Sequence, residues 1–170
     1  MQVDKFKSAE HQEIQIGDEK IYFPYSPYKQ QEDFIKTMYS ALENKENCLL
    51  ESPTGTGKTL SILTAALGWL FNQHQKKWNG DCKILYASRT HTQIKQLVKE
   101  LKATSYNPII SLLGSRDQLC VNSDLNDVYG SEKNNKCSLL TKIKGCSYFE
   151  NLEKIRKKAV TVYSRKVMDI

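Results

Sequence analysis

The 170-residue sequence predicts an α/β fold, a parallel sheet with helices on both faces followed by a small separate module. Three observations carry that expectation. Short apolar runs alternate with stretches of helical apolar spacing as far as residue 113. A glycine-rich turn joins the first such run directly to a helical stretch. Past Gly114 the alternation stops, and polar sequence with three cysteines takes over.

Residues 1–22 are polar and read as an N-terminal extension, with short alternating stretches at 13–16 and 20–23. Pro24 and Pro27 punctuate an aromatic approach, FPYSPY. From Tyr28 a helix is predicted, because Phe34, Ile35, Met38, Tyr39 and Leu42 fall at helical spacing. Residues 47–51 (NCLLE) suit a buried strand, with Cys48 as a core residue. After the glycine-rich turn, Leu60, Leu63, Leu67 and Leu70 mark one face of a second helix. Residues 83–88 (KILYAS) read as a second buried strand. Ile94, Leu97, Val98 and Leu101 give a third helix, and 108–113 a third strand. Strand and helix in alternation are the pattern of a parallel sheet covered by helices. The sequence thus divides into 1–22, a first domain at 23–114 and a second module at 115–170.

Composition bounds the function. Hydrophobic content of 39% with 26% charged residues describes a globular protein and excludes a disordered chain. The longest apolar run, 62–71, is broken by Thr64 and Gly68 and is too short to span a bilayer, so no membrane partner is expected. The first eighteen residues have no apolar core of the signal-peptide kind, so the chain is expected to stay inside the cell in a reducing compartment. Five cysteines there argue against a disulfide framework, leaving core fillers, metal ligands or a mixture. Lys plus Arg number 25 against 19 Asp plus Glu, a net charge of +6 that fits a polyanionic partner. Lys142, Lys144, Lys154, Arg156, Lys157, Lys158, Arg165 and Lys166 crowd the last thirty residues. Charge alone leaves a solvated helix face and a polyanion-binding face both open.

The strongest signal is Ser52-Pro53-Thr54-Gly55-Thr56-Gly57-Lys58-Thr59, set between the 47–51 run and the second helix. Phosphates need several backbone N–H groups pointing inward, which requires glycines where the chain turns tightly. Lys58 supplies positive charge for the β- and γ-phosphates, and the Thr59 hydroxyl a ligand for Mg²⁺. The following helix aims its positive end at the same phosphates. Ser52 stands where the general motif prefers glycine, but Gly55 and Gly57, nearest the phosphates, are intact. A nucleotide such as ATP is therefore the expected ligand. P-loops serve kinases, GTPases, transporters and motors alike, so the motif names a ligand and not a job.

Tyr28-Lys29-Gln30-Gln31, then 51–59 (ESPTGTGKT), then 86–93 (YASRTHTQ) resemble the iron–sulfur class of superfamily 2 helicases, which includes the xeroderma pigmentosum group D helicase. Residues 104–108 (TSYNP) and 113–120 (LGSRDQLC) extend the resemblance, which covers roughly 22–155. It implies a RecA-like ATP-binding domain followed by part of an iron–sulfur module. Gln31 corresponds to the glutamine that reads the adenine edge, a role suited to an amide able to donate and accept at once. Ser88, Arg89 and Thr90 match the segment that touches the DNA backbone, where hydroxyls and a guanidinium suit phosphate oxygens. His91 is expected to shape that loop.

Sixteen residues lie between Cys120 and Cys137 and eight between Cys137 and Cys146. Neither interval is the short knuckle of structural zinc, and thiolates are soft ligands suited to iron–sulfur clusters. Residue spacing alone leaves a metal site and unpaired core thiols both open. The resemblance implies that these are the first three ligands of a 4Fe-4S cluster, with a fourth cysteine beyond Ile170. Arg116, four residues before Cys120, could then offset the cluster's negative charge.

No Asp-Glu-x-His box occurs in the 170 residues. The acidic pair of that box would hold Mg²⁺ and orient the attacking water, so phosphoryl transfer here has binding groups but little catalysis. The expectation is an N-terminal fragment of a nuclear ATP-dependent DNA helicase. Such an enzyme couples ATP hydrolysis to translocation on single-stranded DNA and unwinding at duplex junctions, in repair, recombination or telomere maintenance. The alternative is a truncated product that binds nucleotide and DNA without turnover. A P-loop kinase with a zinc-binding tail is a third reading, distinguished by bound zinc and no iron.

Overall fold

The computed structural model describes residues 11–76 and 82–152, which fall into two compact units, one up to Pro108 and one from Ile109. In the first unit the alternating stretches form a hairpin, β1 (Gln12–Ile16) and β2 (Glu19–Phe23). The strands pair antiparallel with Ile14 opposite Ile21. Gly17 and Asp18 make the two-residue connection, and Gly17 has φ +57°, the sign a type II′ turn needs at its first central position. Period-two alternation turns Ile14, Ile21 and Phe23 to one side, where all three are buried.

That side lies against two helices, α1 (Lys29–Asn44) and α2 (Lys58–Gln75). Ile35 and Tyr39 of α1, with Leu60 and Ala65 of α2, complete the core around the hairpin's apolar face. The expected α2 face is borne out, since Leu60, Leu63, Leu67 and Leu70 are all buried. Helix α3 (His91–Ala103) buries Leu97, Val98 and Leu101, and Thr90 caps it by accepting from the Gln93 N–H at 3.3 Å.

Polar contacts lock these elements. Asn72 of α2 donates to the Lys20 carbonyl at 3.2 Å and to Tyr39 Oη at 2.9 Å. Glu43, near the end of α1, accepts from Trp69 Nε1 at 2.8 Å and Gln73 Nε2 at 2.7 Å on α2. Beyond α3, Tyr106 is buried and its Oη accepts from the Tyr22 N–H at 3.0 Å. Its ring lies 6.3 Å from that of Phe71.

The expected parallel sheet is not found among the described residues, whose only sheet is the β1–β2 hairpin. Residues 47–51, 83–88 and 108–113 run without ladder pairing. Leu49 is 99% exposed and Leu85 88%, and Cys48, expected in the core, is exposed. Parallel strands are stable when helices cover both faces and neighbours occupy both edges. Here α1 and α2 spend their apolar faces on the hairpin and on each other, which leaves these runs uncovered.

In the second unit α4 (Arg116–Leu119) begins at Ser115, whose N–H donates to Gln118 Oε1 at 2.9 Å. Asn122 opens a 3₁₀ turn at Ser123–Leu125 by accepting from the Asp124 N–H at 3.0 Å. Helix α5 (Gly130–Lys142) follows, then α6 (Ser147–Glu150). Asp117 accepts from the Gly130 N–H at 2.9 Å, and Arg116 Nη1 donates to Asn134 Oδ1 at 2.8 Å, so α4 is tied to α5 twice. Leu125 and Val128 are the buried apolar residues of this unit among the described residues. Among the described residues no helix is long and apolar enough to cross a membrane.

Two outcomes follow from the α2 contacts. At Gly68 an added Cβ would meet Ile21 Cγ2 well inside contact distance and Tyr106 Oη at 2.9 Å. Gly68→Ala is expected to destabilise the chain by about 1–3 kcal/mol, overpacking outweighing the ~1 kcal/mol of helix propensity gained, read from denaturant midpoints. Burial also pushes the Tyr106 phenol well above its ordinary value of 10.0. As pH rises past that value the unfolded phenol ionises while the folded one keeps its proton, so this contribution is full below pH 10.0 and lost above it. Alkaline denaturation should be steeper for the wild type than for Tyr106→Phe.

Candidate nucleotide-binding site

The loop between residue 51 and α2 owes its shape to two glycines in the left-handed region, Gly55 at φ +85° and Gly57 at φ +73°. Gly57 is the N-cap of α2, and no side chain caps this helix. The first N–H groups of an eighteen-residue helix, with the positive end of its dipole, therefore point toward the loop. The Ser61 N–H bonds the Gly57 carbonyl at 3.0 Å, which closes the first helical turn.

Lys58 folds back over this turn. Its Nζ donates to the carbonyls of Ser52 and Pro53, each at 2.7 Å. Thr56 Oγ1 donates to the Pro53 carbonyl at 2.9 Å and shares a hydrogen bond with Ser52 Oγ. Thr54 and Gly55 are exposed at the tip, and Thr59 is half-buried in the first turn of α2. The motif is thus a loop that holds its own lysine in place.

Gln31 joins this loop to α1. Its Oε1 accepts from the Tyr28 N–H at 3.0 Å and its Nε2 donates to the Thr56 carbonyl at 3.0 Å. One hydrogen on Nε2 and one lone pair on Oε1 remain for other partners. A depression lies here, lined by Gln30, Gln31 and Phe34 of α1, by Ser52 and Thr56 of the loop, and by Lys58 and Ser61 of α2. Sequence reasoning missed Ser61, Gln30 and Phe34 as lining residues. The available signal was a hydroxyl one turn after Gly57, inside an otherwise apolar stretch of α2.

Of the three residues expected at DNA, Ser88 is half-buried and Arg89 and Thr90 are exposed. Thr90 Oγ1 accepts from the Gln93 N–H and the Ser88 hydroxyl donates to Gln93 Oε1, so both hydroxyls organise the start of α3. His91, the first residue of α3, is exposed beside them. Arg89 presents the guanidinium.

Cys120, Cys137 and Cys146 all belong to the second unit and are free and half-buried, at the end of α4, within α5 and at the start of α6. The Asn122 amide donates to Cys146 Sγ at 3.7 Å. Yet among the described residues no three His, Cys, Asp or Glu gather closely enough to hold a metal ion. The thiols as placed do not fit a cluster. Arg116, expected to face it, bonds Asn134 instead. The basic residues from Lys154 onward lie outside the described residues.

Gly57→Ala tests the loop's geometry. A side chain at φ +73° costs about 1–2 kcal/mol, and its Cβ would stand 2.6 Å from Gln31 Nε2. The expected result is a lower denaturant midpoint and faster amide exchange at 52–57.

Residues 86–170 match the DEAD_2 family model. A regulator of telomere elongation helicase 1 homolog from Arabidopsis thaliana is 37% identical over 161 residues, covering 78% of this chain and 16% of that protein. The homolog from Aedes aegypti is 33% identical over 206 aligned positions, covering 93% and 20%. That from Drosophila melanogaster is 35% identical over 187, covering 88% and 19%. The chain therefore spans between 16% and 20% of the length of these relatives.

Proposed function

Because the chain belongs to the DEAD_2 family of xeroderma pigmentosum group D-like helicases, we propose that it supplies the ATP-binding part of an ATP-dependent DNA helicase. The observation that carries this reading is the 52–59 loop, two left-handed glycines leading into an uncapped helix with Lys58 poised over the turn. Such a loop offers backbone N–H groups, a helix dipole and one ammonium to a triphosphate. Thr59 would hold Mg²⁺, which offsets phosphate charge when bound. Gln31 faces the same depression from α1 and is the group proposed to read the base.

For DNA, the exposed Arg89 between the two α3-organising hydroxyls of Ser88 and Thr90 supports contact with a phosphate backbone. Translocation on single-stranded DNA and unwinding at junctions belong to the whole protein and rest on its family. The relatives' name, regulator of telomere elongation helicase 1 homolog, supports a nuclear place in telomere maintenance or repair. Cys120, Cys137 and Cys146 remain proposed 4Fe-4S ligands on the family resemblance. They would have to be drawn together with a fourth thiol, and no step of the ATP reaction is routed through them.

The 170 residues contain Lys58 and Thr59 but no Asp-Glu-x-His box, which favours a second reading of this chain taken alone, binding without turnover. Titration of the 170-residue chain with MgATP should give saturable binding with negligible hydrolysis. Lys58→Ala should weaken that binding about 10- to 100-fold through loss of charge-assisted bonds. Equal affinity in wild type and variant would sink the nucleotide-site assignment.

A further inference from the structure

We propose that Ser61 is a specificity-determining contact of the nucleotide site, its hydroxyl reaching the base end of a bound nucleoside triphosphate. The inference rests on the nucleotide reading above and deepens it.

Ser61 is 1% exposed, and its Oγ is a buried hydroxyl with no hydrogen-bond partner among the described residues. A hydroxyl left unsatisfied out of water is costly, so a position that keeps one usually has a partner to meet. Ser61 also lines the depression shared by Gln31 and the loop. Its backbone is held one turn past Gly57 by the bond from its N–H to the Gly57 carbonyl, so the residue stands directly behind the loop.

The chemistry around the depression is polarised. Lys58, Ser52 and Thr56 present an ammonium and hydroxyls on the loop side, suited to phosphate. Gln30, Gln31 and the half-buried Phe34 present amides and an aromatic ring on the α1 side, suited to a neutral heteroaromatic edge that donates and accepts. Gln31 already uses one Nε2 hydrogen and one Oε1 lone pair within the protein. A second buried donor-acceptor lining the same depression adds a bond to the base edge beyond the one hydrogen and one lone pair that Gln31 has left. Among the lining residues Ser61 is the one whose buried side-chain polar atom has no partner at all.

The test is titration of the 170-residue wild type, Ser61→Ala and Ser61→Thr with MgATP and with Mg-tripolyphosphate, which carries the phosphates without base or sugar. Ser61→Ala should weaken ATP about tenfold and leave tripolyphosphate unchanged, with thermal stability equal or higher because a buried unsatisfied hydroxyl is gone. Ser61→Thr, which keeps the hydroxyl, should restore most of the ATP affinity. Unchanged ATP binding in Ser61→Ala, or an equal loss for tripolyphosphate, would overturn the role at the base. A wild type that binds ATP no better than tripolyphosphate would overturn base recognition while leaving the phosphate loop intact. A wild type that binds neither would bring down the nucleotide reading itself.

Discussion

The first unit depends on how closely α2 is approached at Gly68. A hydrogen in place of a methyl group lets Ile21 of β2 and the Tyr106 hydroxyl reach the helix surface. Once there, Tyr106 Oη takes the Tyr22 N–H, and Asn72, one turn further along α2, takes the Lys20 carbonyl. The hairpin is therefore tied to α2 at Lys20 and to Tyr106 at Tyr22, and its apolar side is pressed onto Leu60 and Ala65. Glycine inside a helix costs about 1 kcal/mol relative to alanine, and here that cost is offset by the packing it permits.

The same helix carries the candidate site at its N-terminal end. Because α2 is held along its length by the hairpin, by α1 through Glu43 and Tyr39, and by Tyr106, its N-terminus is fixed without any cap of its own. Helix ends without caps are normally frayed or solvated. Here the neighbouring loop is shaped by Gly55 and Gly57 and tethered by Gln31, so the uncapped N–H groups are presented in an ordered turn. Gln31 also stabilises the start of α1 through the Tyr28 N–H. One side chain thus sets the spacing between α1 and the loop, the spacing that defines the depression containing Ser61 and Phe34.

What was legible in the sequence followed the range of the interactions. Leu60, Leu63, Leu67 and Leu70 repeat at the helical period, so one helix face could be read from local spacing, and the structure buries all four. The alternation at 13–16 and 20–23 was visible too, but pairing Ile14 with Ile21 and burying both required knowing what they pack on. The runs at 47–51 and 83–88 have the apolar content of buried strands, and composition says nothing about whether partners are at hand. Leu49 and Leu85 are left exposed because parallel pairing is a non-local property. At the site, the glycine spacing announced the loop, whereas Gln31's bridge to Thr56 joins residues twenty-five positions apart and leaves no local trace. The cysteines show the same limit, since a spacing cannot say whether three thiols meet, and among the described residues no such group gathers.

Lys58 sets the energetic terms of binding on the proposed reading. Its ammonium is engaged by the Ser52 and Pro53 carbonyls, so it is neither free nor mobile before a phosphate arrives. Bonds from a cation to neutral carbonyls are weaker than those from the same cation to a phosphate oxygen, and exchange between them is downhill. The loop's carbonyls therefore act as a placeholder that keeps the side chain ordered over the turn, so little entropy is lost on binding. The hydroxyls of Ser52 and Thr56 are likewise bonded within the loop, which limits its collapse when Lys58 turns away. A loop organised in this way can bind phosphates through its backbone and its lysine, yet it positions no carboxylate to activate water. Affinity is thus the property these residues can deliver, and hydrolysis requires acidic groups that this loop does not contain.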